Sequence, residues 1–462
     1  MPFGILAMIG PAFIWASFAQ GSGELIWWPY LGAKYGLSFI GLLLPACLIQ
    51  FFVNAEVIRY TALTGEGIWS GFKRLGIWYS IPLFALCFLS LLWFGGYASA
   101  GGTALYELTH FPPKLSARAG SLFWGYVTII LFSLGMFKSS RVYKLLENFM
   151  KTITGITVVG LIISLFQQQV FATSGSFFSA FLNPFSVSIP VNWDPADASK
   201  LITALAFAGL GGFFTLMYSY WIRDKGVGMA HYVEKVHTDH GDDNKETSIN
   251  TGLYFDDTKE NKKNWESWGR YLRYDNLFGV LINLFTVMIT TWLALALLAP
   301  KGMHPEGWKI AVVQSEFFYQ WLGTVGKILF LIIAAAFLGD TWFAAADGAS
   351  RKFADFTRSH FPQAKRKTFS YWYYFWLIFL IIVTCITMPL AKPGVLIQIG
   401  GVIGIFAFVL FIPVLFYLNY CLLPKTFPTW VVPPLWRAIV LWLVWGIYVS
   451  IAMWYLIVTF GL

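Results

Sequence analysis

A helix needs about 20 predominantly apolar residues to cross the hydrocarbon core of a bilayer. This chain of 462 residues supplies eleven such stretches, near 5–32, 37–63, 78–107, 119–137, 143–168, 200–222, 274–299, 324–347, 370–389, 395–422 and 435–460. No alternation of ten-residue segments marks a membrane barrel, and lipid leaves backbone polar groups no partner outside a helix or a closed barrel. The expectation is an all-α polytopic membrane protein of about 11 transmembrane helices. Composition agrees: 57% of residues are apolar and 12% charged, about half the charge of an ordinary soluble domain. Disorder, a coiled coil and a soluble enzyme are excluded on those grounds.

The net charge of +9 reads as membrane orientation rather than nucleic-acid binding, because cytoplasmic loops collect Lys and Arg. With the N-terminus in the cytoplasm, 23 of the 32 cations fall on loops and helix ends of that side and eight on the other. The expected topology is N-terminus inside and C-terminus outside, in the cell (inner) membrane. The start of the chain is apolar without a basic leader, so no signal peptide is expected. Cys47, Cys87, Cys385 and Cys421 lie in apolar stretches without metal-like spacing, which predicts small packing residues.

The expected organisation is transmembrane helices 1–6 over 1–222, a polar cytoplasmic loop over 223–273 and helices 7–11 over 274–462. Twenty of the 55 charged residues crowd into 223–275. Within it His231, His237, Asp239, His240, Asp242 and Asp243 could hold a metal, although a solvated loop is the simpler expectation and no metal motif fits. No cofactor motif, phosphate loop or nucleophile–base pattern appears, so an enzyme is not expected.

Two spans contain their own interruptions. The first carries Gln20-Gly21-Ser22-Gly23-Glu24 at mid-depth, with Pro29 two turns later. Each glycine weakens a helix by roughly 1 kcal/mol. A carboxylate in the membrane costs at least about 2.5 kcal/mol, which marks it as a functional candidate. The sixth span carries Gly209, Gly211 and Gly212 before Phe213-Phe214-Thr215. Spans one and six are five apart, so spans 1–5 and 6–10 form two halves with a break at the start of each. Paired interruptions of this kind point to a secondary-transporter site; close packing at small residues is the plainer alternative. Tyr97 of the third span is a further candidate for the cavity wall. Among other membrane acids, Asp340 is deep enough to serve an ion path. Glu56, Glu107, Asp275 and Asp347 are expected at span ends.

The runs Gly10-Pro11-Ala12-Phe13, Gly21-Ser22-Gly23-Glu24 and Gly32-Ala33-Lys34-Tyr35-Gly36 resemble the first span of the natural resistance-associated macrophage protein (NRAMP) family. Thr64-Gly65, Tyr274-Asp275 with Asn283, and Ile412-Pro413 extend the resemblance over nearly the whole chain. It implies a leucine-transporter-type fold with two inverted five-helix repeats and broken helices 1 and 6, and proton-coupled transport of divalent transition metals. The metal-binding motifs depart from the family. Its Asp and Asn ligands of the first break fall on Gly21 and Glu24. Its Met-Pro-His falls on Phe213-Phe214-Thr215, so the sulfur ligand that favours soft metals is lost. Its acidic pair of helix 3 falls near Phe94 and Tyr97, and its Gln of helix 10 on Gly400.

Three functions remain open. In the first, a transporter moves a hard or hydrated divalent cation, with Glu24 as the metal ligand and Ser22, Thr215 and the carbonyls of Gln20 and Gly21 completing the shell. In the second it moves a small organic zwitterion or cation such as an amino acid or amine. Gly-Ser-Gly also resembles the broken first span of amino acid–polyamine–organocation transporters, and there Glu24 would meet an amine and the aromatics would wall the site. The third is a non-transporting sensor or scaffold. The expected substrate-binding residues are Gln20, Gly21, Ser22, Gly23, Glu24, Phe213, Phe214, Thr215 and Tyr97, and the expected partners are the lipid bilayer and a small solute.

Overall fold

The computed structural model describes residues 10–138, 140–232 and 252–461. At Phe13, Ser22, Glu24, Lys138 and residues 140–151 it describes the backbone alone. The loop acids and histidines from His237 to Asp243 therefore lie outside the described residues.

The chain is all-helical. We number its long elements α1 to α11. Helix α1 runs through Pro11–Ala19, Gln20–Trp27 and Trp28–Tyr35. It is followed by α2 (Leu43–Thr64), α3 (Ile77–Leu91, resuming as Gly95–Thr109), α4 (Ala117–Lys138) and α5 (Ser140–Ser164). Helix α6 is in two pieces, α6a (Ala198–Ala206) and α6b (Met217–Lys225). After it come α7 (Lys259–Leu293), α8 (Glu316–His360), α9 (Phe369–Thr387), α10 (Pro393–Phe416) and α11 (Leu435–Phe460). Among the described residues, eight helices are long and apolar enough to cross a membrane, and the other three predicted spans fall on α1, α5 and α6. Helix α7 starts at Lys259, so the charged end of the polar segment is already helical.

The two sequence interruptions take different forms. In α1 the helix does not unwind. It widens into a π stretch over Gln20–Trp27, where the Trp28 N–H reaches back five residues to the Gly23 carbonyl. Pro29 contributes to this: it has no N–H to offer the Leu25 carbonyl four residues earlier. The orphaned carbonyl accepts instead from the Gln314 side chain, which arrives from the α7–α8 connection. Gln314→Ala should strand a buried carbonyl and lower stability by about 1–3 kcal/mol, seen as a lower thermal unfolding midpoint in detergent.

In α6 the helix truly breaks between Ala206 and Met217. Gly211 and Gly212 both take positive φ, +83° and +48°, which a side chain would resist. A Cβ on Gly212 would also overlap the Gly404 backbone of α10.

Helices α1 and α6 run in opposite directions, as inverted repeats require. The start of α6 meets the end of α1, where Tyr30 and Tyr35 bond Asp197. Tyr218 of α6b, in turn, bonds Asp275 of α7, which also holds the Ala12 N–H at the start of α1. We call the end of the bundle where α1 starts the lower end and the end where it finishes the upper end.

Candidate functional site

The π stretch of α1 and the break of α6 press directly on each other. A Cβ on Gly23 would overlap the Phe207 carbonyl oxygen, and one on Gly21 would overlap the Thr341 hydroxyl of α8. These two glycines are contact points where backbones meet, so the packing role foreseen for small residues applies to them. Thr341 completes the seam by bonding the Phe18 carbonyl at 3.2 Å. Around the seam Phe18 packs on Phe214 with ring centroids 4.9 Å apart, and Phe207 on Phe214 at 6.1 Å.

Polar groups without partners collect in this apolar setting. The Gln20 side chain, at the start of the π stretch, is 4% exposed. Neither of its amide atoms has a hydrogen-bond partner among the described residues. Thr215, at the end of the α6 break, is fully buried, and its hydroxyl likewise has none. Buried polar groups are ordinarily satisfied, so an open amide in the π stretch and an open hydroxyl at the α6 break each leave bonding capacity unused. π stretches also concentrate at functional sites.

Of the residues singled out in the sequence, Gly21 meets Thr341 of α8, Gly23 meets the Phe207 carbonyl at the entry to the α6 break, and Phe214 packs on Phe18 of α1. Phe213 packs instead on Phe411 of α10, and Gln20 and Thr215 are buried on the π stretch and at the end of the break. The backbones of Ser22 and Glu24 belong to the π stretch; their side chains lie outside the described residues. Tyr97 is buried on α3, which packs against α4, α8 and α10. Asp340 accepts a 2.8 Å bond from Ser17, linking α8 to α1 beside the site. Asp275, expected at the end of its own span, instead lies inside α7, which begins at Lys259, and accepts from the Ala12 N–H in the first turn of α1.

A charged cluster ties the upper end of α1 to α6a, and a second joins α8, α6b and α9 at the lower end. At the upper end Asp197 accepts from Tyr30 (2.6 Å), Tyr35 (2.7 Å) and Lys34 (2.7 Å), and pairs with Lys200 at 2.9 Å. Burial alone would raise this carboxyl; the four hydrogen bonds outweigh it and hold it well below the usual carboxylate range. Lys200 also reaches Glu306 at 2.9 Å. At the lower end Arg351 of α8 forks onto Asp347 (2.8 and 3.1 Å) and also bonds Asp224 of α6b. Tyr373 of α9 adds a 2.7 Å bond to Asp347.

Three buried polar positions with long-range partners were missed in the sequence. Asp197 sits in a loop-like stretch and carries no motif. Gln314 looks like any connector residue. Lys352 follows the span expected over 324–347, where a lysine reads as a helix-end cation, yet it is fully buried, and Arg351 is 4% exposed. A signal was present: Gly348, Ala349, Phe353, Ala354 and Phe356 continue the apolar face of α8 past the expected end of the span.

No protein-family model and no curated protein matches the sequence. Solved structures do match over the full length. A manganese transporter of Eremococcus coleocola, in complex with an aromatic bis-isothiourea substituted compound, superposes with a TM-score of 0.55 at 11% identity, covering 99% of this chain and 97% of that one. Mhp1, a nucleobase-cation-symport-1 family transporter solved in a closed conformation with bromovinylhydantoin bound, gives 0.52 at 14% identity over 96% and 92%. MhsT in complex with L-phenylalanine gives 0.52 at 12% identity over 97% and 98%. At these identities the likeness shows the fold: the chain has the leucine-transporter-type architecture.

Proposed function

We propose that the chain is a secondary transporter, related to the NRAMP family, that holds a small solute between the π stretch of α1 and the break of α6. The observation that carries this reading is the Gln20 amide in the π stretch of α1, buried with both of its atoms unbonded among the described residues; the Thr215 hydroxyl, at the end of the α6 break, is buried and equally open. Such a site lies where the π stretch of α1 faces the break of α6, and a broken helix is how transporters of this architecture expose backbone and side-chain groups to cargo. The full-length likeness to transporters that differ in what their structures hold supports the architecture without choosing the cargo.

Of the substrate classes left open by the sequence, an organic solute fits the surroundings better than a hard cation. The site is walled by Phe18, Phe207 and Phe214, and the buried cation Lys352 reaches the break. Hard cations need several oxygen ligands and are repelled by a fixed ammonium. Mn²⁺ and Cd²⁺ are not expected to bind between α1 and α6, because Phe213 and Phe214 stand where soft ligands would be needed. A calorimetric or anomalous-scattering signal there would refute this.

Glu24, the one acid of the π stretch, tests the site from its other side. Glu24→Gln should weaken solute binding while the protein still folds, and unchanged affinity in the purified variant would remove Glu24 from the site. For orientation we propose a cytoplasmic lower end with the C-terminus outside. Impermeant labelling of a cysteine placed at each terminus should mark opposite faces.

A further inference from the structure

Helix α8 carries a buried basic group that has no acidic partner among the described residues. Lys352 is fully buried. Its ammonium donates to the Phe213 carbonyl in the α6 break at 2.9 Å, lies 3.8 Å from the Cys87 sulfur of α3, and sits 5.9 Å from the centre of the Phe214 ring. Among the described residues it forms no ion pair. The neighbouring acids are committed elsewhere. Asp347 and Asp224 hold Arg351. Asp355 takes the Ser70 hydroxyl at 2.9 Å and the Tyr220 hydroxyl at 2.7 Å.

A buried charge is ordinarily paired, since one carbonyl and one thiol do not replace the hydration it has lost. The start of α6b adds to the imbalance, because a helix N-terminus carries partial positive charge. Beside it stands the fully buried Thr215 hydroxyl, unbonded among the described residues. A cation, the positive end of a helix and an open hydroxyl donor all favour a negative group.

The backbone of Glu24 lies far from Lys352. Ser17 of α1 bonds Asp340 of α8, and the Phe18 carbonyl bonds Thr341, so the two helices are level there. The Gly23 contact with Phe207 shows α1 climbing away from this level toward the upper end. Lys352 lies twelve residues further along α8, about 18 Å toward the lower end. Glu24 lies seven residues further along α1, toward the upper end. The two backbones are therefore far apart.

We propose that the solute of this site carries a carboxylate. It would be neutralised by Lys352 and bonded by the Thr215 hydroxyl, with an apolar body lying against Phe18, Phe207 and Phe214. This rests on the transporter reading of the same site and narrows its substrate class from small solutes in general to organic acids and zwitterions.

The test uses the purified full-length protein at constant ionic strength and pH 7. Ligand binding is followed by thermal shift and tryptophan fluorescence. The probes are matched series sharing one apolar body: benzoate, phenylacetate and phenylalanine against benzamide, phenylacetamide and benzylamine, with sodium chloride as the inorganic control. The acids should bind at least about tenfold more tightly than their amides. Lys352→Met should weaken acid binding by about 10- to 100-fold, the worth of a hydrogen bond to a charged group, and leave amide binding unchanged. Lys352→Arg should keep most of the acid affinity, and Thr215→Val should weaken it without disturbing the fold, which covers the case in which the methionine variant does not express.

Equal binding of acids and amides, stabilisation by chloride alone, or acid affinity indifferent to Lys352 and Thr215 would overturn the inference. Neutral or cationic probes that bind in a Gln20-dependent way while acids do not would overturn it and leave the transporter reading standing. A protein that binds none of the series, nor metals or sugars, would lose both.

Discussion

Asp197→Ala is expected to loosen the upper end of the bundle and to lower stability by about 2–4 kcal/mol. The carboxylate is 2% exposed at the side chain and gathers Lys34, Lys200, Tyr30 and Tyr35 onto one point. Removing one partner of a buried charge pair costs about 3–5 kcal/mol. The figure is reduced here because the Lys34 side chain keeps 26% of its exposure and the Lys200 side chain 14%, so water recovers part of the loss.

The variant should show a lower unfolding midpoint and faster labelling of a cysteine introduced at the upper end of α1. Asp197→Asn keeps the shape and loses only the charge, so it should fall between wild type and alanine. A midpoint unchanged in both variants would mean that the cluster ties nothing. The pH dependence has a definite sign. A carboxyl held below its unfolded value contributes stability that is complete above that value and is lost only as pH falls through the folded one. Because Asp197 is held well below the usual carboxylate range, its contribution should stay constant between about pH 5 and 8.

The second large effect belongs to Gly23. A methyl group there would overlap the Phe207 carbonyl oxygen, which is backbone and cannot rotate away. Gly23→Ala should therefore push α6a off α1 and cost about 1–3 kcal/mol, the usual range for overpacking, with a larger cost for leucine. The loss should appear in the unfolding midpoint and in ligand affinity together, because the contact that is pushed apart is the wall of the site. Gly175→Ala is the matching control. That glycine is helical, nothing lies within 4 Å of its added Cβ, and the change should be neutral or slightly stabilising. A Gly23 variant as stable as the Gly175 one would contradict the packing described here.

Much of the architecture was legible because the membrane makes long apolar runs unavoidable. The spans from α2 onward fall where apolar length puts them, and the two glycine-bearing interruptions marked α1 and α6. Their form was not legible. Gly-Ser-Gly reads equally as a break or a contact, and the choice depended on Pro29, on Gln314 nearly three hundred residues away, and on how closely α6a approaches. Only the positive φ of Gly211 and Gly212 and the passage of α10 at Gly404 make α6 a true break.

Half of the proposed site was legible. Gln20, Phe213, Phe214 and Thr215 stood out as polar or aromatic residues at the interruptions. Lys352 did not, because a lysine after an apolar run reads as the end of a span, and only the packing of α3 and α6 around it shows that it is buried. Asp197 gains its role entirely from long-range partners that no local pattern announces.

The central claim is that the discontinuities of α1 and α6 enclose a solute site whose open hydrogen-bonding group is the Gln20 amide. Its most direct test is a thermal-shift screen of the purified protein against organic acids, amino acids, amines, sugars and metal ions, repeated on Gln20→Ala and, as a control away from the site, Gly175→Ala. One chemical class should raise the unfolding midpoint of the wild type and of Gly175→Ala in a saturable way, and Gln20→Ala should lose most of that shift while remaining folded. A protein that no class stabilises, or a shift of the same size and midpoint concentration in Gln20→Ala, would contradict the account.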